Sequence, residues 1–172
     1  MSASNARALL ALALVAACGG PPPPPAPPPV PVEGPRRDIR LLAGSWAGEF
    51  VNNEGGRHGT IAFTLDAERD TAHGWVIIEG APPPAGCTDP VSSAVQAPAE
   101  RQTVLRLGRV VVADGSIAGW LESYRDFDVG CPVDTWFEGR LERDMLRGMF
   151  FAHPAVGDTV RRGTWWAARR PR

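Results

Sequence analysis

One short pattern recurs along the chain from residue 44 onwards: a glycine, any residue, and then a bulky apolar residue. Residues two apart in a β-strand lie on the same face of the sheet, so each glycine should lie beside a large side chain. Glycine inside a strand marks a bend or a close approach of the backbone. The pattern therefore predicts a tightly curved sheet that is filled by its own side chains. The glycines that begin it are Gly44, Gly48, Gly59, Gly74, Gly108, Gly119, Gly139, Gly148 and Gly163.

Turn-forming residues divide the same region into about eight strands. Apolar and polar residues alternate most clearly in 60–65 and 136–141, and no segment after Arg37 has apolar residues at the three-four spacing of a helix. Regularly spaced strands with short turns predict an all-β fold, an antiparallel up-and-down meander closed into a barrel; a sandwich is the alternative. The predicted strands are 44–51, 58–66, 71–79, 102–113, 115–124, 134–141, 144–152 and 159–169.

The connections between these strands fall into two groups. In an up-and-down meander, successive connections lie at opposite ends of the sheet. We therefore expect a tight-turn end and a long-loop end. The tight turns are 66–70, 114–115 and 142–143, and the long loops are 52–57, 80–101, 125–133 and 153–158.

The residues before the predicted barrel are of two kinds. An apolar run from Ala8 to Ala17 follows Arg7; it is shorter than the ~20 residues of a membrane-spanning helix and is typical of a secretory signal peptide. The proline tract that begins at Pro21 favours an extended spacer, and a ligand for a proline-recognition domain is the alternative. We expect a disordered N-terminal tether that joins the barrel at its tight-turn end.

The residues Leu14-Val15-Ala16-Ala17-Cys18 resemble the lipobox of bacterial lipoproteins. The resemblance implies cleavage before Cys18, a lipid chain such as palmitate on its sulfur, and a membrane partner held through the acyl anchor. Gly19, rather than an aspartate, follows the cysteine, which by the same resemblance implies the outer membrane, facing the periplasm or the cell surface. The resulting domains are a signal peptide at 1–17, a lipidated cysteine with a proline-rich linker at 18–38, and a β-barrel domain at 39–172.

The remaining cysteines form a candidate disulfide. The chain has three cysteines, so a lipid on Cys18 leaves Cys87 and Cys131. An oxidising periplasm favours a bridge between them, and both lie in long loops at the same predicted end. A zinc site is the rival interpretation, but two isolated cysteines without CxxC spacing are weak evidence for it.

The two ends of the predicted barrel carry a second resemblance. The opening residues 44–48 and the closing residues 163–169 are similar to those of small lipocalin-like and avidin-like barrels, the calycin type. In those barrels the first strand carries a Gly-x-Trp, and in lipocalins a basic residue near the end of the barrel packs over that tryptophan. The resemblance implies a structural pair between Trp46 and Arg169. The resemblance assigns no ligand-binding residues to this chain.

No catalytic or cofactor motif is found in the sequence. We therefore expect no enzymatic activity, no cofactor and no metal; a catalytic site built from the long loops is the alternative. His58 and His153 border the long-loop end, and Asp126 and Asp128 lie in a stretch that is better explained as a polar turn than as a calcium loop. The formal charge of −1 argues against a nucleic-acid partner bound through a basic surface.

Six tryptophans are many for a domain of this size. They either line a cavity for one small ligand or fill the barrel and stabilise its outer face. Trp165 and Trp166 are adjacent, so they should point to opposite faces. We expect an envelope lipoprotein with a ligand-binding or structural barrel, whose partner is a small apolar ligand or an envelope protein. The alternative is a protein–protein or inhibitor-type lipoprotein that acts through its outer face or its long loops.

Overall fold

A computed structural model describes residues 27–54, 56–79, 102–125, 130–155 and 159–171. Within these ranges the chain forms ten β-strands and one short helix. The elements are β1 (Val30–Glu33), α1 (Arg36–Leu42), β2 (Gly44–Asn52), β3 (His58–Asp66), β4 (Thr71–Glu79), β5 (Gln102–Ala113), β6 (Ser116–Leu121), β7 (Tyr124–Arg125), β8 (Pro132–Glu142), β9 (Met145–Pro154) and β10 (Arg161–Arg169).

Eight of the strands form the predicted meander, which closes into a barrel. Strands β2 to β6 pair antiparallel in chain order, β6 then pairs with β8, and β8, β9 and β10 continue the series. The ring closes where β10 pairs with β2, from Gly163 opposite Asn52 to Arg169 opposite Trp46. The short β7 adds to β8. The all-β prediction and its eight barrel strands are therefore confirmed.

A ninth strand, β1, enters the barrel wall between β4 and β5. Direct pairing of β4 with β5 runs only from Trp75 opposite Arg106 towards their long-loop ends. Beyond that point β1 fills the gap, antiparallel to β4 and parallel to β5. Residues 30–33 were predicted to belong to the linker, because the proline tract surrounds them. The barrel includes them because Val32, only 6% exposed, contributes to its core.

The direction of β1 also changes where the tether joins the barrel. Since β1 runs parallel to β5, it runs from the long-loop half towards the tight-turn end. Residues 27–29 therefore approach the side wall, not the tight-turn end that was expected.

The helix α1 covers the tight-turn end of the barrel. Ile39 and Leu42, one helical turn apart, are 2% and 0% exposed. The buried carboxylate of Asp38 accepts a hydrogen bond from the backbone N–H of Asp114, in the β5–β6 turn, at 3.0 Å. A helix of seven residues shows too few repeats for its period to be read from sequence, and it depends on this packing for its stability.

Inside the barrel, large aromatic side chains lie over glycines of neighbouring strands. Phe50 is paired with Gly59, and Phe150 is paired with Gly163. A Cβ atom added to Gly163 would lie 2.2 Å from the Phe150 ring. Gly59 and Gly163 thus face inward as their spacing predicted, and the rings occupy the space that side chains at those positions would need.

Candidate functional site

The barrel contains a cavity of about 70 Å³, measured as the space open to the centre of a water-sized molecule, and the cavity is partly open to solvent. Its walls are almost entirely aliphatic and aromatic side chains from the inner faces of the strands. Several of these residues are only partly buried although they point inward, because solvent reaches them through the mouth. The lining includes Phe50, Ile61, Val76, Leu105, Phe137 and Trp165.

The cavity runs along most of the length of the barrel, from Ala72 and Ile117 near the tight turns to the strand ends that the long loops join. Its lining includes Phe50, Ile78 and Leu121, which lie within two residues of the strand ends that the long loops join. The buried residues under α1, such as Trp46 and Leu146, do not line it. Within the described residues, side chains under α1 therefore close the tight-turn end, and the cavity extends to the long-loop end.

Trp46 and Arg169 close the base together. The guanidinium carbon of Arg169 lies 4.4 Å from the centroid of the Trp46 ring, a cation–π distance. The indole N–H of Trp46 donates to the carbonyl of Leu42 at 2.9 Å. Arg169 donates to the carbonyl of Leu41 at 2.8 Å and also to that of Ala43.

These bonds satisfy consecutive carbonyls at the C-terminal end of α1, which the helix itself leaves without partners. A positive charge at a helix C-terminus is also favourable. The pair implied by the lipocalin resemblance thus lies in contact, and its geometry fastens α1 over the base. Neither side chain lines the cavity.

Trp165 shows how a tryptophan can line an apolar cavity. It is 6% exposed, whereas its neighbour Trp166 is 39% exposed, so the two point to opposite faces as expected. The indole N–H of Trp165 donates to the backbone carbonyls of Glu138 and Met149, at 3.0 and 3.2 Å. The polar end of the ring is therefore satisfied in the wall, and its hydrocarbon part is left to line the cavity.

Apart from the indole N–H of Trp165, which is bonded within the wall, the polar side-chain groups of the described lining are two hydroxyl groups. The Thr135 hydroxyl donates to the phenolic oxygen of Tyr124 at 3.2 Å. Thr135 is 2% exposed and lies on β8 two residues from the apolar, inward-facing Phe137. Neither residue was predicted from the sequence, although a hydroxyl at an inward position of an alternating strand is a readable signal for Thr135.

A row of aromatic side chains crosses the outside of the barrel. We call Arg109, Trp120, Trp136, Phe151 and Arg162 the outer aromatic row. They lie on adjacent strands and are cross-strand neighbours in register, one residue per strand. Trp136 and Phe151 stack with centroids 5.4 Å apart, and the arginines lie over Trp120 and Phe151 at 5.8 and 5.9 Å.

The outer aromatic row is partly exposed and begins beside β1. Trp120 is 44% exposed. Arg109 donates to the carboxylate of Glu33, on β1, at 2.6 Å. That hydrogen bond raises the pKa of the Arg109 guanidinium above its ordinary value. Such cross-strand contacts stabilise a sheet, and an exposed aromatic group also offers a contact surface.

The cysteine predictions extend beyond the described residues. Cys131 is 5% exposed and immediately precedes β8 at the long-loop end, where it was predicted to lie. Cys87 and Cys18 are outside the described residues. The disulfide and the lipid attachment therefore stay predictions.

The histidines and aspartates do not form a metal site in the part of the chain that the structure describes. His58 and His153 are both exposed, and β2 and β10 separate their strands. His58 is level with Met149, four residues from His153 along β9, so with three strand spacings between them the two histidines lie roughly 20 Å apart along the wall. Asp134 is exposed, and Asp126 and Asp128 lie outside the described residues.

The helix within the described ranges, α1, has seven residues, and nothing helical there has the length and hydrophobicity to cross a bilayer. A search of protein-family models finds no match to the chain, and neither does a search of curated protein sequences.

Proposed function

We propose that the protein is a lipid-anchored lipoprotein of the bacterial cell envelope whose calycin-type barrel binds a small apolar ligand in its interior. The observation that carries the proposal is the cavity, because its described lining is apolar except for two hydroxyl groups. Burial of apolar ligand surface against such walls is favourable at about 25 cal/mol per Å². Barrels of eight strands have room for one small ligand.

The closed base supports binding rather than passage. Trp46, Ile39 and Leu42 are almost completely buried at the tight-turn end. A ligand would therefore enter and leave through the long-loop end. The described barrel is closed at one end only, and this shape suits a carrier or a sensor of an apolar molecule.

Filling the cavity should weaken ligand binding without unfolding the barrel. Val76 lines the cavity, and in Val76→Phe the larger ring would occupy space that the ligand needs. We expect the affinity for hexane, an apolar probe, to fall by at least about tenfold, which corresponds to about 1.4 kcal/mol. The change in tryptophan fluorescence on titration, checked by calorimetry, measures it on the mature chain carrying Cys18→Ser.

Ile77→Phe is the matched control. Ile77 is next on the same strand, β4, and by alternation points outward, so the same ring is added outside the barrel. It should bind hexane as the unaltered chain does. Equal affinities for the two variants would place the hexane outside the cavity, and no binding of hexane by the unaltered chain would overturn the ligand-binding proposal.

The anchor is tested separately. Cys18→Ala should abolish lipidation, because no other cysteine of the chain follows a lipobox. We expect the precursor to escape globomycin-sensitive processing and to lose partitioning into the detergent phase. Radiolabelled palmitate should label the unaltered protein and not the variant. A Cys18→Ala chain that still incorporates palmitate would contradict the assignment.

The outer aromatic row favours a second candidate function, docking to an envelope protein. Trp120 and its stacked neighbours offer a partly exposed aromatic surface with an arginine at each end, and aromatic residues and arginine are enriched in protein interfaces. The hexane titration separates the two candidates. If the barrel binds no apolar probe, docking to an envelope protein through the outer aromatic row becomes the favoured function.

A further inference from the structure

The polar groups of the cavity are concentrated at one place in its wall. Thr135 is the fourth residue of β8, and Tyr124 belongs to β7, which pairs with the start of β8. Both lie near the strand ends that the long loops join. The deeper lining residues, such as Phe63, Ala72 and Val110, are apolar. The cavity therefore has a polar site near its mouth and an apolar interior.

The hydroxyl pair of Tyr124 and Thr135 can bind an oxygen group without leaving either residue unsatisfied. The Thr135 hydroxyl uses its proton in the bond to Tyr124, but its oxygen carries two acceptor lone pairs. A ligand hydroxyl can donate to that oxygen. A ligand carbonyl can accept from the Thr135 hydroxyl after rotation of its proton, since hydroxyl groups reorient freely.

The described lining contains no charged side chain. Arg125 is adjacent to Tyr124 in sequence, but its guanidinium donates to the carbonyl of Gly130 at 2.9 Å, and it does not line the cavity. An ionised ligand group placed among these walls would lose its hydration without gaining a counter-ion, which is strongly unfavourable. The described walls therefore disfavour a carboxylate, a phosphate or an ammonium group.

We propose that the ligand is a neutral molecule with an apolar body and one hydroxyl or carbonyl oxygen, which hydrogen-bonds to the Tyr124–Thr135 pair. The inference rests on the proposed ligand-binding function and adds the chemical class of the ligand to it. The apolar body lies against Ile61, Leu105 and Trp165 in the interior. The oxygen group sets the orientation of the ligand, with its polar end towards the mouth.

The test uses three probes that share one chain length: hexane, 1-hexanol and hexanoate. They are titrated into the mature chain, residues 18–172, carrying Cys18→Ser so that it has no lipid. At pH 7.5 hexanoate should bind at least about a hundredfold more weakly than 1-hexanol, because its charge is unpaired in the cavity. Its affinity should rise as the pH falls towards about 4, where a carboxyl of this kind becomes protonated.

The variant Thr135→Val removes the hydroxyl and keeps the size of the side chain. We expect its affinity for 1-hexanol to fall by about threefold to tenfold, as for the loss of one neutral hydrogen bond, with hexane affinity unchanged. Tyr124→Phe, at a less buried position, should show the same selective loss. Thr135→Ser keeps a hydroxyl and should retain the preference for 1-hexanol.

The outcomes separate this inference from the function on which it rests. If no probe binds the unaltered chain, the ligand-binding function itself is wrong. If hexane binds but Thr135→Val and Tyr124→Phe weaken 1-hexanol no more than hexane, binding stands and the role of the hydroxyl pair is overturned. Tight binding of hexanoate at pH 7.5 would overturn the neutral class. Retained hexane binding shows in each case that the variant is folded.

Discussion

Replacing Trp46 with alanine should lower the free energy of unfolding by about 3–5 kcal/mol, the cost typical of removing a large buried aromatic side chain. Trp46 is 1% exposed and stacks on Phe63 with centroids 6.2 Å apart. Its removal would leave a void under α1, take away the hydrogen bond to the Leu42 carbonyl and remove the ring under the Arg169 guanidinium. Equilibrium unfolding in urea measures the loss.

Trp166→Ala is the control for this prediction. Trp166 lies on the outer face of β10 and is 39% exposed, so its loss should cost less than about 1 kcal/mol, the scale of a cross-strand contact. The folded fraction of Trp46→Ala should still bind hexane, because Trp46 does not line the cavity. Similar costs for the two variants would contradict the structural role given to Trp46.

Gly163→Ala should destabilise the barrel by about 1–3 kcal/mol or more, the range for overpacking a core. The added methyl group would lie 2.2 Å from the Phe150 ring and 2.4 Å from the backbone carbonyl oxygen of Val51. The Phe150 ring lines the cavity and can shift, but the Val51 carbonyl belongs to a paired strand and cannot move away without disturbing the sheet. Thermal unfolding by circular dichroism measures the effect.

The matched substitution is Gly108→Ala. Gly108 lies in the register shift between β5 and β6, and the nearest atom to an added Cβ would be a backbone oxygen at 3.5 Å. This alanine should be tolerated or slightly stabilising, because it reduces the freedom of the unfolded chain. Equal losses of stability in the two variants would contradict the inference that inward positions carry glycine because aromatic rings pack over them.

The barrel strands were readable from sequence because period-two alternation is a local signal. Each inward glycine lies two residues from a large side chain, and turn residues mark every tight connection. The strand β1 was missed since it has four residues, one of them Pro31, a residue type that is rare in paired strands. The helix α1 was missed because two turns are too few to show a helical period.

The candidate site was less predictable because it depends on contacts between distant parts of the chain. Whether eight strands enclose a filled core or a cavity is decided by the fit of rings such as Phe50, Phe150 and Trp165 across several strands. The bond between Tyr124 and Thr135 depends on the register of β7 against β8. The resemblance to lipocalins did identify the contact between Trp46 and Arg169, because it relates the two ends of the sequence.

The position of β1 determines how tension on the chain would reach the barrel. A pull on residues before 27 would load β1 first, which is held by only two residue pairs on each side. After β1 detached, the load would pass through Gly34 and Pro35 to α1, and would draw the helix off Trp46 and the base of the barrel. The barrel strands, which are paired along most of their length, would be loaded last. The N-terminal segment would therefore detach at a lower force than the barrel strands. Its detachment would open the closed end of the barrel while the barrel itself remains folded.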